Sequence, residues 1–427
     1  MSIIRGLIGI FVLILIAFLF SKNRRAIDWK LVGIGLSLQL LVVLGMLYLP
    51  VFQQAVAVIA HVFVKVLSFS KAGASFLFGS LADGQSFGYV FAFQIFPTII
   101  FFSALTSLLY YLNVIQWVIK GISWVLRKTL KISGAEGLVT SSNIFVGVAE
   151  APMLIKGFLP QMNPSELFLL MTAGMATIAG GVMAAYVGML GGNDPASQIL
   201  FAKHLIAAST MAAPGAVVMS KIIMPQTDKV SDVAVLSRYD MGKNMLDAIA
   251  NGATDGLRLS ASIGAILLVF ISFIAFANYL LSYFIGDTFG LNEKVATLFD
   301  GRITEFNFQF ILGVIFSPIA WLMGVCKEDM FLVGQLLGEK IVLNEFVGYQ
   351  TLTQLKSASA FVEDKSIIMS TYMLCGFANI GTIAIMIGGI GTLAPMHRGF
   401  LTKYGFHSVI AGALVSCMSA TMIGMII

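Results

Sequence analysis

Residues 143–152 read NIFVGVAEAP. One carboxylate, Glu150, stands there among apolar neighbours, two residues before Pro152. A second stretch of this kind, VLNEFVGY at 342–349, carries Glu345. What the two charges do depends on where they sit, and the composition around them decides that. Of 427 residues, 58% are hydrophobic and 11% charged, whereas an ordinary soluble domain is about one-quarter charged. Apolar segments of spanning length recur at roughly 3–20, 31–49, 88–113, 166–190, 197–223, 258–285, 310–325, 366–390 and 405–427. About 20 apolar residues cross the hydrocarbon as a helix, and only helices and closed barrels satisfy their own backbone there. The expected fold class is therefore an all-α integral membrane protein with several spans.

The opening segment, MSIIRGLIGIFVLILIAFLF, has the apolarity of a signal peptide. No small-residue cleavage site follows it and further spans do, so it reads as the first transmembrane helix. Lys22, Arg24, Arg25 and Lys30 come directly after it. Positive residues in short loops stay cytoplasmic, which puts the N-terminus outside. The net charge of +5 thus reports orientation, and no nucleic-acid partner is expected, because there is no room for a water-soluble basic module. Cys326, Cys375 and Cys417 lack CxxC spacing and lie in apolar context, as buried thiols do. His61, His204, His397 and His407 form no i,i+4 pair, which argues against a metal centre.

Two segments differ from the clean spans. Residues 54–83 are only moderately apolar, and 114–131 is amphipathic, with Lys120, Arg127, Lys128 and Lys131. Both suit helices lying at the membrane interface. The most polar stretch, about 225–243, divides the chain into two portions that echo each other. In the first, Ser133 and Glu136 are spaced as a capping box, a short half-helix reaches NIFVGVAEAP, and a second half ends near Pro160. Asn163-Pro164-Ser165-Glu166 then reads as a cap with proline at the first helical position, and the helix it starts is interrupted by ATIAGG at 176–181. In the second, Lys327-Glu328-Asp329 opens a segment that climbs to Glu345, and the next long helix is interrupted by CGFANIGTIAI at 375–385. Paired discontinuous segments in corresponding positions of two halves mark a secondary transporter's midplane site.

Ionisable groups at membrane depth are costly and usually functional. Glu150 and Glu345 have no lysine or arginine within four residues, so each is available to accept hydrogen bonds from paired hydroxyls, as on a ribose, or to balance a bound cation. The plainer alternative is that each caps a loop at headgroup level. Asn143, Thr177 and Asn379 are either interhelical glue or oxygen ligands for a hard cation where the helices break, beside Gly147, Gly180, Gly181, Gly376 and Gly381. Asp255 and Arg258 are spaced to pair on one helix face and read as structural. The aromatic run at 87–102 reads as lipid-facing or packed surface.

The strings SNIFVGVAEAPMLIKGFLP, FLLMTAGMATIAGGVMAAYVG, MAAPGAVV, VLNEFVGY and CGFANIGTIAI resemble the signature segments of the concentrative nucleoside transporters, and the resemblance covers essentially the whole chain. It implies a multi-span transporter with inverted repeats, two re-entrant helical hairpins and broken helices. It also implies a homotrimer among membrane lipids, and uphill, elevator-type import of nucleoside driven by Na⁺, or by H⁺ in some members. The setting implied is a bacterial inner membrane. On that reading residues 1–131 are mainly scaffold spans and interfacial helices, and 132–224 form a first transport repeat with a hairpin at about 133–160 and a broken helix at 166–190. Residues 244–308 add a scaffold span and a connecting helix. Residues 309–427 form the second repeat, with a hairpin at about 327–358, a broken helix at 366–390 and a last span at 405–427.

Carried over by motif, Glu345 and Asn379 engage the ribose hydroxyls, Glu150 reaches ribose or base through water, Thr382 completes the polar set, and Phe377 and Leu259 pack near sugar and base. Asn143, the carbonyls of Val146 and Ile178, and the Thr177 hydroxyl hold Na⁺. These four positions match the family in type, which favours Na⁺ over H⁺ as the coupling ion; no other cofactor is expected. One departure stands out. Where the family's first hairpin usually reads Gly-Gln-Thr-Glu or Gly-Gln-Ser-Glu, this chain has Gly147-Val148-Ala149-Glu150. Two hydrogen bonds to the nucleobase, each worth about 0.5–1.5 kcal/mol net, are lost, so the expectation is relaxed base selectivity over an apolar base pocket. A proton-coupled nucleoside symporter, or a Na⁺ symporter of another small polar solute, are the alternatives. An enzyme is not expected, since no nucleophile and base fall into a usable motif.

Overall fold

The computed structural model describes residues 2–82, 90–148, 150–228, 242–299 and 303–427, and among these it contains helices and no strands. Five helices come first: α1 (Ser2–Leu19), α2 (Trp29–Tyr48), α3 (Pro50–Phe78), α4 (Phe91–Tyr111) and α5 (Val114–Leu130). A first hairpin follows as α6 (Gly134–Ser142) and the short α7 (Ala151–Leu154). Next come a broken helix, α8 (Pro164–Ala176) and α9 (Gly180–Gly191), and the long α10 (Pro195–Ile223). After α11 (Met245–Tyr279), α12 (Leu291–Leu298) and α13 (Phe308–Met323), the second hairpin is α14 (Met330–Val342) and α15 (Glu345–Ser357). A second broken helix, α16 (Asp364–Leu374) and α17 (Ile380–Leu393), leads to α18 (Arg398–Ile426).

Among the described residues, seven helices or continuous helical runs are long and apolar enough to cross a membrane: 29–48, 50–82, 91–111, 164–191, 195–223, 245–287 and 395–426. Burial sorts them into two layers. The central windows of 195–223 and 164–191 are 89% and 83% buried, whereas that of 245–287 is 22% buried. Helices α8, α10 and α18 are therefore the interior of the bundle. Helices α2, α3, α4 and α11 turn apolar faces outward.

The order long helix, hairpin, broken helix, long helix occurs twice, from α4 to α10 and from α11 to α18. The two repeats are inverted. Helices α4 and α11 run antiparallel, with Ser107 Oγ donating to Ala248 O at 2.7 Å near one end and Gly264 under the Phe96 ring near the other. The contact is at backbone depth, because a Cβ on Gly256 would stand 2.7 Å from Ile100 Cα. Glycine or serine at 252, 256, 260 and 264 is the small-residue spacing that lets membrane helices approach this closely.

The expectation of interfacial helices fares differently at its two sites. Helix α5 buries Ile119, Ser123, Leu126 and Leu130, one stripe at helical spacing, and leaves Trp117 and Trp124 exposed with Lys128 over the Trp124 ring. Helix α3 is long and apolar enough to span, against the expectation for 54–83. Its first turn folds back on the end of α2, where Phe52 meets Gly45. Further along it packs antiparallel beside α4: Phe63 meets Phe102 with ring centroids 5.1 Å apart, Ser70 Oγ lies 3.2 Å from Thr98 Oγ1, and Phe78 meets Phe93.

Candidate functional site

Both helix starts read as caps are present. Ser133 and Glu136 close a reciprocal box at 3.1 and 2.9 Å, and Asn163 and Glu166 close another at 3.0 and 3.1 Å with Pro164 at the first position. Glu136 has a second task. It pairs with Lys221 of α10, whose Nζ also donates to Ser165 Oγ and Gln226 Oε1, each at 2.9 Å. The base of the first hairpin is thereby tied to the starts of α6 and α8 and the end of α10. The base of the second hairpin lacks an ion pair among the described residues. There Asp329 accepts the N–H groups of Val362 and Glu363 at 2.8 and 3.1 Å, joining α14 to the start of α16.

The first tip is an irregular loop from Asn143 to Glu150, of which Ala149 lies outside the described residues. It docks on the break between α8 and α9, where Phe145 O accepts the Gly180 N–H at 3.0 Å. Asn143 donates Nδ2 to Val139 O at 3.0 Å, while its Oδ1 is buried with no hydrogen-bond partner among the described residues. Thr177 donates its hydroxyl to Ala173 O at 2.8 Å, which leaves its oxygen lone pairs free. The orphaned amide oxygen of Asn143 and the Thr177 hydroxyl oxygen are each donors of the kind a hard cation takes.

The second tip is compact. Asn344 caps α15, its side chain accepting the Val347 N–H at 3.0 Å. Glu345 is buried; its carboxylate accepts from Asn379 Nδ2 at 2.9 Å and from the Tyr186 hydroxyl at 3.1 Å. Asn379 Oδ1 in turn accepts from Thr382 N at 2.8 Å and Thr382 Oγ1 at 3.0 Å. The two breaks are joined as well: Phe377 N donates to Thr177 O at 3.3 Å. Close by, Gly376 has φ +146°, and a Cβ there would meet Ala176 O at 2.8 Å. Hairpin, break, break and hairpin thus form one hydrogen-bonded spine through the protein's interior.

Family models described as Na⁺ dependent nucleoside transporter C-terminus, Na⁺ dependent nucleoside transporter N-terminus and Nucleoside recognition match residues 204–424, 8–81 and 92–193. The chain belongs to the Na⁺-dependent nucleoside transporter family. Among its relatives in that family, the nucleoside permease NupC of Helicobacter pylori is 36% identical, over 99% of this chain and 97% of the permease. An uncharacterized transporter of Haemophilus influenzae is 39% identical, over 100% of this chain and 98% of that protein. The sodium/nucleoside cotransporter 1 of Rattus norvegicus is 38% identical over 98% of this chain, which spans 63% of the rat protein. A solved structure of CNTnw in an inward-facing substrate-bound state matches with a TM-score of 0.89 at 35% identity, covering 100% of this chain and 99% of that one.

Against the residues expected to serve a nucleoside transporter, the structure groups Glu345, Asn379 and Thr382 directly and holds Phe377 through its backbone. Glu150 is exposed to a cavity between the first tip and the α4–α11 pair, lined also by Tyr110, Ser103, Thr106, Asp255 and Leu259. Leu259 and Glu150 thus share one cavity, which also reaches Gly180 and Gly181 at the break between α8 and α9. Asp255 and Arg258 come only to 4.0 Å, both largely exposed, and Asp255 faces the cavity. Val148 does not line this cavity. It is buried against α8, its Cγ2 2.5 Å from where a Cβ on Gly174 would be, so its apolarity serves packing as well as removing a polar contact.

Sequence reasoning missed Tyr186, Tyr110 and Lys221. Tyr186 holds Glu345 and stacks on Tyr349 with ring centroids 4.0 Å apart. The Tyr110 hydroxyl is buried and without a hydrogen-bond partner among the described residues, at the wall of the Glu150 cavity. Each lies far in sequence from its carboxylate, and no local pattern announced the pairing.

Proposed function

We infer that the protein imports nucleosides across a bacterial inner membrane by Na⁺ symport. The observation that carries this is one hydrogen-bonded spine that bears an orphaned Asn143 Oδ1 at the first tip, Thr177 at the first break and a Glu345–Asn379 pair at the second. Asn143, Thr177 and the carbonyls of Val146 and Ile178 take the cation, supplying oxygen ligands only. Glu345 and Asn379 take the ribose hydroxyls with Thr382 behind them, and Glu150 approaches the solute from the cavity side. Phe377 and Leu259 supply apolar contact to sugar and base. Binding of the cation at the break between α8 and α9 orders the loop that carries Glu150, so ion and nucleoside assist each other.

The two hairpins and two broken helices, fastened at their breaks, form the moving body of an elevator, and α4 with α11 belongs to the scaffold of a homotrimer. Lys22, Arg127, Lys221 and Lys403 gather at the end where the first hairpin has its base, with Lys22 over the Tyr404 ring and its N–H on Ile223 O. The positive-inside rule makes that end cytoplasmic and the N-terminus external. With Val148 apolar and buried, base recognition is relaxed. Nucleoside uptake into proteoliposomes tests the reading: it should collapse when K⁺ replaces external Na⁺. Undiminished uptake driven by a pH gradient alone overturns Na⁺ coupling, and no uptake of any ribosyl compound overturns the substrate.

A further inference from the structure

Lys340 is fully buried near the end of α14, five residues before Glu345. Its ammonium donates to Met373 O and to Ser416 Oγ of α18, each at 2.7 Å. Among the described residues no carboxylate lies within ion-pair distance of it; Lys340 sits on the end of α16, and Glu345 is held by Asn379 at the start of α17, on the other side of the same break. A buried ammonium without an ion-pair partner is costly, so its position calls for an explanation.

The inverted repeats supply one. In the first repeat, the hairpin arm α6 ends at Asn143 and the half-helix α8 ends at Thr177, the two side chains assigned above to the cation. In the second, the end of the arm α14 meets the end of the half-helix α16, and there Lys340 places its charge on a last-turn carbonyl of α16. The loops differ accordingly. The first tip runs from Asn143 to Glu150 between helices, with carbonyls to wrap an ion; the second has only Leu343 and Asn344 between α14 and α15. The second repeat has no loop with which to coordinate an ion, and it has a lysine where the ion would go.

We propose that the Lys340 ammonium is a tethered cation that performs, in the second repeat, the electrostatic task the bound ion performs in the first: it compensates the carbonyl end of α16 and the Glu345 carboxylate that awaits the solute. The comparison between repeats rests on the Na⁺ reading above; the action of Lys340 on Glu345 does not. Lys340 is a positioning residue, since it touches neither solute nor ion.

The test uses the purified full-length transporter and uridine as probe. Lys340→Met keeps the side-chain length and removes the charge. At saturating Na⁺ it should weaken uridine binding about tenfold, while the Na⁺ midpoint for thermal stabilisation without uridine moves by less than about twofold. A merely structural lysine would lower stability alone, so the decisive readout is a double-mutant cycle on the melting temperature of the uridine-free protein. Glu345→Gln should recover at least half of the loss caused by Lys340→Met, because the carboxylate left without its counter-charge is then gone. Additive losses, or unchanged uridine affinity in Lys340→Met, overturn the proposal. If Lys340→Met alone does not fold, recovery of folded protein in the double variant supports the proposal and failure to recover it counts against it. Na⁺-independent uridine binding by the unmutated protein would instead overturn the Na⁺ reading and leave the Lys340–Glu345 cycle to be judged by itself.

Discussion

Phe377 donates its backbone N–H to the carbonyl of Thr177, so the interruptions of two separate helices are fastened to each other. Each break frees backbone groups that must find partners in the bundle interior, and here one break satisfies the other. The residue that permits the approach is Gly376. Its φ of +146° disfavours a side chain, and a Cβ would lie 2.8 Å from Ala176 O. Gly376→Ala should therefore cost about 1–3 kcal/mol in backbone strain alone. A lowered melting temperature together with lost uptake is the expected result, read by thermal unfolding in detergent and by a proteoliposome assay.

The cation role proposed for Asn143 can be tested apart from folding. Its Oδ1 has no protein partner among the described residues, so removing that oxygen leaves the fold nearly intact. Asn143→Ala should raise the Na⁺ concentration for half-maximal uptake by at least about tenfold. The loss of its Nδ2 bond to Val139 O should lower stability in Na⁺-free buffer by only about 1 kcal/mol. Uptake titrated against Na⁺ at fixed ionic strength checks the first figure, and an unfolding curve the second.

Tyr186 donates to the Glu345 carboxylate, which the proposed reading assigns to the solute. Tyr186→Phe removes a hydroxyl from a charged acceptor, an interaction worth about 1.5–3 kcal/mol, and should raise the KM for nucleoside about tenfold without changing the Na⁺ requirement. Tyr349→Phe is the matched control. Its hydroxyl donates to Thr371 O and not to Glu345, so that variant should lose stability and keep its KM.

The ion pair at the base of the first hairpin should behave as buried pairs do. Lys221→Met leaves Glu136 buried and uncompensated, at a cost of about 3–5 kcal/mol. Combining it with Glu136→Leu should recover most of that loss, as measured by thermal unfolding of both single variants and the double.

What the sequence disclosed and what it hid divide by range. The caps at Ser133 and Asn163 were legible because each box closes within three residues. The paired hairpins and breaks were legible because a carboxylate or a cluster of glycines inside an apolar run is conspicuous at any distance. The grip of Tyr186 on Glu345 spans 159 residues and that of Lys221 on Glu136 spans 85, so neither leaves a local trace. Val148 was visible as a departure, yet its direction was not, since whether a loop side chain faces a cavity or Gly174 is settled by tertiary packing. Helix α3 was the converse case: its moderate apolarity reads as interfacial, yet it is long and apolar enough to cross and packs antiparallel beside α4.

The glycine-lined seam between α4 and α11 has a mechanical meaning. Two helices pressed together at backbone depth along Gly252 and Gly256, with Gly264 under the Phe96 ring, leave little slack for one to slide on the other. Ser103 and Thr106 of α4 and Asp255 and Leu259 of α11 then present a fixed profile to Glu150. One helix comes from each repeat, and the two run in opposite directions. In the elevator proposed above, this seam is the rail past which the first tip travels, with the direction of travel set by the gradients.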